Sequence, residues 1–171
     1  MSFRRTATLL AGLIAGVAVL SGCGGASGRG ASRACGPVIH EAFDTRSLQH
    51  VLPNASVPNY LTDPPTSGPH QPSPPISGAV SEPLPKPVQV GILEGGNVLV
   101  QYNGLSASGR RALSAIVGPK IVLAPNPDIA AGHVVITAWL YKQSCSAPDP
   151  AAVRAFVKAR ANHGPDYHAA N

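Results

Sequence analysis

Twelve of the eighteen prolines in this 171-residue chain lie between Pro37 and Pro87, and that density constrains the fold more than any other feature. Proline fixes φ at about −65°, has no amide hydrogen to donate, and pushes the residue before it toward extended geometry. The first half of the chain is therefore excluded from long helices and from central strands. It reads as a stiff wrapped loop that begins with a short helical or extended piece around Ile39 to Leu48. A free linker is the plainer alternative. Leu48, Val51, Leu52, Val57, Tyr60 and Leu61 argue against it, because disordered linkers carry few apolar side chains.

Within this half the most constrained stretch is Thr62-Asp63-Pro64-Pro65-Thr66-Ser67-Gly68-Pro69-His70. Three prolines limit its backbone and Gly68 permits a turn that other residues disfavour. A polar loop shaped in advance in this way presents something, and Thr66, Ser67 and His70 are its candidate binding residues. Leu93-Glu94-Gly95-Gly96 follows some two dozen residues later and adds Glu94.

After Pro87 the punctuation changes. Val88–Leu93 and Asn97–Tyr102 read as strands, the second with Val98, Val100 and Tyr102 on one face. Ser106 or Ser108 caps a helix running through Val117, with Leu113, Ile116 and Val117 inward and Gly118-Pro119 ending it. Lys120–Ala124 reads as a short buried strand, and His133–Lys142 as one longer strand. Asp149 caps a second helix with Pro150 at its first position, and Gly164-Pro165 lies beyond its end. Residues 36–165 are thus expected to form a single α+β domain: a small mixed sheet with two helices, preceded by a proline-rich ordered loop region. Aromatics are only 5% of the chain, so Leu, Ile and Val must fill the core. Residues 166–171 are expected to form a frayed tail.

The N-terminus has the layout of a secretory signal over residues 1–22, with Arg4-Arg5, an apolar run from Ala7 to Leu20, and small residues after it. That run is shorter than the roughly 20 apolar residues a spanning helix needs. Leu20-Ser21-Gly22-Cys23 resembles the bacterial lipobox at every position, which implies a lipid attached to the Cys23 thiol and a cell-membrane location on the extracytoplasmic face. Residues 23–35 then form a flexible tether rich in Gly, Ala, Ser and Arg, with a reach of about 18 Å. With Cys23 acylated, Cys35 and Cys145 remain as an even pair in an exported protein, and a structural disulfide between them is expected. Of the formal charge of +5, four arginines belong to the leader and tether. From Gly36 onward nine basic residues meet eight acidic ones, so the folded part offers no electrostatic case for nucleic acid.

Taken together, His50, the Pro64–His70 string, the Leu93–Gly96 element and a strand ending in Tyr102 resemble the bacterial domain-of-unknown-function 3105 family, over about Asp44 to Arg160. The resemblance implies no established activity. In that family the second element reads His-x-Leu-Glu-His-Gly, and alignment places Gly91 and Gly95 where the two histidines stand. A full set of four histidines and a glutamate is suited to a transition metal or to proton transfer; this chain keeps His50, His70 and Glu94.

The function expected from the sequence is a lipid-anchored binding or interaction module of the cell envelope, without a cofactor, metal or catalytic residue assigned. Its partners are the membrane, through the anchor, and an envelope protein or small ligand met at His50, Thr66, Ser67, His70 and Glu94. The alternative is a metal-dependent hydrolase or metal-binding protein using His50, His70 and Glu94. Gly-x-Ser-x-Gly, P-loop and dinucleotide fingerprints are absent from the sequence, which sets serine hydrolysis and nucleotide chemistry aside. His40, His133, His163 and His168 lie in no motif.

Overall fold

The computed structural model describes residues 34–53, 55–56, 58–72 and 76–166. The expected signal segment, Cys23, nearly all of the tether, Val57 and residues 167–171 lie outside the described residues. In chain order the elements are β1 (Ile39–His40), a 3-10 turn (Thr45–Leu48), β2 (Gly78–Ala79), α1 (Lys86–Glu94), β3 (Val98–Tyr102), α2 (Ala107–Ser114), β4 (Ile121–Pro125), β5 (Val134–Ala138), β6 (Tyr141–Cys145) and α3 (Pro150–Arg160). The six strands form one mixed sheet in the order β1-β6-β5-β3-β4-β2. β4 runs parallel to β3 and to β2, while the other pairs are antiparallel. This is the expected α+β class.

Both faces of the sheet are covered, so its central strands are apolar almost throughout. On one face Val98, Val100, Ile121, Leu123, Val134 and Ile136 pack with Leu113 of α2 and with Val153 and Phe156 of α3. On the other, Leu99, Val122 and Ala124 pack with Ile92 and Leu93 of α1 and with Trp139. α2 and α3 start as their sequences dictate. Ser106 accepts from the amide of Gly109, and Asp149 accepts from those of Ala151 and Ala152, with Pro150 in the first turn. A disulfide joins Cys35, the first buried residue of the domain, to Cys145 at the end of β6.

Two expectations are corrected. Val88–Leu93 is helical, so among the described residues there are three α-helices rather than two. Pro87 in the first turn is already set for a helix, while Gln89, Val90, Gly91, Ile92 and Leu93 are all buried. A helix enclosed on nearly every side has no polar face to reveal the 3.6 period, and its run of apolar residues mimics a strand. The long strand His133–Lys142 is a hairpin, broken at Trp139-Leu140. Leu140 has φ of 61°, a left-handed conformation that costs a non-glycine residue about 1 to 2 kcal/mol. It is held from outside the hairpin: its amide donates to Thr66 O at 3.1 Å and its carbonyl accepts from Glu41 N at 2.9 Å. In the proline-rich half Leu48, Leu52 and Leu61 are 91%, 78% and 58% exposed, so it is backbone and side-chain hydrogen bonds rather than burial of these leucines that hold it.

Candidate metal centre

The proline loop is fixed by a small polar lock. Asp44 is buried, and its carboxylate accepts from the backbone amide of Arg46 at 2.9 Å and from the Arg46 guanidinium at 3.0 and 2.6 Å. That guanidinium holds the Asp44 carboxyl below the usual carboxylate range, with burial opposing it. The amide of Asp44 donates to Ser67 Oγ, Ser47 Oγ donates to the Asp44 carbonyl, and the amide of Gly68 donates to Ser47 Oγ. Tyr60 closes the far side by donating its hydroxyl to Pro69 O. Its own pKa is raised to about 12, chiefly by burial.

This lock determines where the histidines go. His70 N donates to Gln49 O at 3.0 Å and Val51 N to His70 O at 2.8 Å, a parallel bridge that sets His50 beside His70. The rings meet edge to face with centroids 5.0 Å apart. Gln71 N reaches Pro87 O, which ties the loop to the start of α1. α1 ends at Glu94 because Gly95 and Gly96 follow: Gly96 takes φ of 78°, and Gly95 N returns to Gly91 O. Glu94 Oε2 thereby lies 2.6 Å from His70 Nε2.

His70 is wholly buried and its Nδ1 lies 3.0 Å from the Gly68 carbonyl. A carbonyl only accepts, so Nδ1 donates to it, and Nε2 faces Glu94 Oε2 at hydrogen-bond distance, 2.6 Å. One proton shared by the imidazole and the carboxyl holds that pair together. Burial pushes the Glu94 carboxyl up, Asp166 adds to the effect, and His70 and His50 oppose it. The ligand atoms of His50, His70 and Glu94 all lie within 4.8 Å of one another, with His50 exposed and Glu94 half-buried. At 2.6 Å the cation between Nε2 and Oε2 is a proton; a metal ion held by both would displace it and move the two atoms to about 3 Å apart, since zinc takes nitrogen and oxygen ligands at about 2.0 to 2.2 Å each.

Of the residues singled out from sequence, the fold brings His50, His70 and Glu94 together. Thr66 and Ser67 are buried instead and serve the loop: Thr66 accepts from Leu140 through its carbonyl and Ser67 accepts from Asp44 through its hydroxyl. Asp44 and Ser47, which orient the site, were missed; the signal was Asp44 in N-cap position before a short polar turn. His40 stacks beside Tyr141, and His133 Nδ1 lies 3.2 Å from Ala131 O.

Residues 50–171 match a sequence family described as "Protein of unknown function (DUF3105)", a span that opens on His50 and contains the whole candidate centre. No curated protein and no solved structure matches the chain.

Proposed function

Because the chain belongs to the DUF3105 family, which brings a fold-spanning motif but no activity, we propose from its own chemistry that it is a lipid-anchored binding module of the cell envelope whose domain holds a divalent transition metal of the zinc class. The observation that carries this reading is the convergence of ligand atoms from His50, buried His70 and Glu94 within 4.8 Å of one another. Imidazole nitrogen with a carboxylate oxygen is a zinc-type donor set. The hydrogen bond from His70 Nδ1 to the Gly68 carbonyl is the outer contact that metal-ligating histidines make to fix their tautomer. His50 completes three ligands from the solvent side.

When bound, such an ion supplies Lewis acidity to whatever enters from that side. Hydrolysis is consequently the second reading, supported by the exposure of His50, and ester turnover with and without zinc addresses it. The anchor rests on the lipobox that ends in Cys23.

Titration of the full chain with zinc by calorimetry tests the metal. One equivalent is expected to bind, and His50→Ala, at an exposed position, is expected to weaken it at least about tenfold. Binding unchanged in His50→Ala, or no heat of binding in the wild type, refutes the reading. Cys23→Ala is expected to abolish acylation and membrane retention, and a variant that remains acylated refutes the anchor.

A further inference from the structure

We propose that the protein carries a second site, separate from the histidine cluster, for a small neutral hydroxyl-rich molecule of single-sugar size. A cavity of about 290 Å³ opens where the parallel strands β3 and β4 end, walled by Asp63 of the proline loop, by Asn126, Asp128 and Ile129 after β4, and by His133 and Val135 at the start of β5. A crevice beyond the carboxyl ends of parallel strands is where open sheets with parallel strands receive ligands.

A buried amide lines the cavity. Asn126 is only 4% exposed; its Oδ1 accepts from the Asp128 amide at 3.0 Å, and its Nδ2 is buried without a partner. Folded proteins rarely leave such a group unmatched, so Nδ2 on the cavity wall is an unanswered donor.

The rim supplies acceptors. Asp128 is exposed, Asp63 is held 2.8 Å from Lys86, and His133 turns Nδ1 to a backbone carbonyl, which leaves Nε2 as a lone pair in the neutral ring. Two carboxylates disfavour a carboxylate or phosphate ligand. A ligand that must accept from a buried amide and donate to a carboxylate is one that bears several hydroxyl groups, and Ile129 and Val135 give its C–H face an apolar wall. Among the described residues the cluster with metal-binding geometry is His50, His70 and Glu94, and none of those three lines this cavity.

The test is a titration of the isotope-labelled full chain with glucose, galactose, mannose and arabinose, read on the side-chain amide signals of Asn126. With at least one sugar, saturable shifts are expected by about 10 mM, ten times a dissociation constant of about 1 mM. Asp128→Ala keeps the backbone amide that Asn126 Oδ1 engages, and it should weaken binding at least about tenfold, whereas His50→Ala should leave it unchanged. The proposal is overturned if no sugar gives a saturable shift, if Asp128→Ala binds equally well, if acetate or phosphate shifts these signals in place of sugars, or if a crystal soaked in the best sugar shows only an ordered water on Asn126.

Discussion

Replacing Gly68 with alanine probes how rigidly the proline loop is held. Gly68 has φ of 121°, and a Cβ there would lie 3.0 Å from Tyr60 Cδ1 and 3.1 Å from Asp44 Oδ2. The backbone conformation alone costs a side-chain-bearing residue about 1 to 3 kcal/mol. The crowding adds a comparable cost of about 1 to 3 kcal/mol, because neither neighbour can withdraw: Asp44 is gripped by Arg46 and Tyr60 is tied to Pro69 O. The total is about 2 to 6 kcal/mol, which at about 3 °C per kcal/mol for a domain of this size lowers Tm by about 6 to 18 °C. Two further glycines separate the contributions. Gly78 has φ of 96° with nothing within 4 Å of its Cβ position, so Gly78→Ala should show the conformational cost alone, about 1 to 3 kcal/mol. Gly118 has the same open space without a left-handed φ, so Gly118→Ala should be neutral or stabilising by about 0.4 to 1 kcal/mol. Thermal and urea unfolding of the three variants should rank them 118, 78, 68 from most to least stable. If Gly68→Ala melts with Gly78→Ala, the lock yields and the argument from crowding fails.

Replacing Cys35 and Cys145 with serine should cost about 4 to 5 kcal/mol in the chain-entropy account, since the closed loop is longer than 100 residues; a urea midpoint unchanged from wild type contradicts this. Asp44→Asn should remove a pH dependence: the wild-type advantage from the depressed Asp44 carboxyl is fully present above about pH 4 and is lost as pH falls through the folded value, so the two melting curves should converge in acid. A gap that persists at the lowest pH where both fold shows that another group is responsible. Gly95→His should raise zinc affinity at least tenfold, about 1.4 kcal/mol. Position 95 adjoins Glu94, its φ of −70° suits any residue, and the nearest atoms to a Cβ there are 3.7 Å away; a folded Gly95→His variant with wild-type affinity counts against a cation site at Glu94.

The candidate centre was legible because its members lie in short, chemically distinctive strings: a histidine after three prolines, and a glutamate before two glycines. The second half of the fold was legible where one face stayed polar or a cap announced the start, as with Ser106 and Asp149. α1 was not legible, because enclosure between the sheet and the proline loop removes the periodicity that separates helix from strand. The turn at Trp139-Leu140 was not legible either. It has no glycine or asparagine to mark it, and its left-handed residue is held by Thr66 and Glu41, partners remote in sequence that no local pattern records. The exposed Leu48, Leu52 and Leu61 show the converse: composition counts them as apolar residues against a free linker, yet their side chains are not buried.

The disulfide at the threshold of the domain has a mechanical consequence. Tension applied through Ala34 passes at Cys35 directly into Cys145 and the end of β6, bypassing β1, the proline loop and the histidine cluster. The covalent short circuit spans 110 residues of sequence, which fully extended amount to about 370 Å of hidden length at about 3.4 Å per residue. Pulled from its two ends, the oxidised protein can lengthen only through α3 and the segments outside the loop, so the backbone between Cys35 and Cys145, which carries the candidate sites, cannot be drawn out until the bond is reduced.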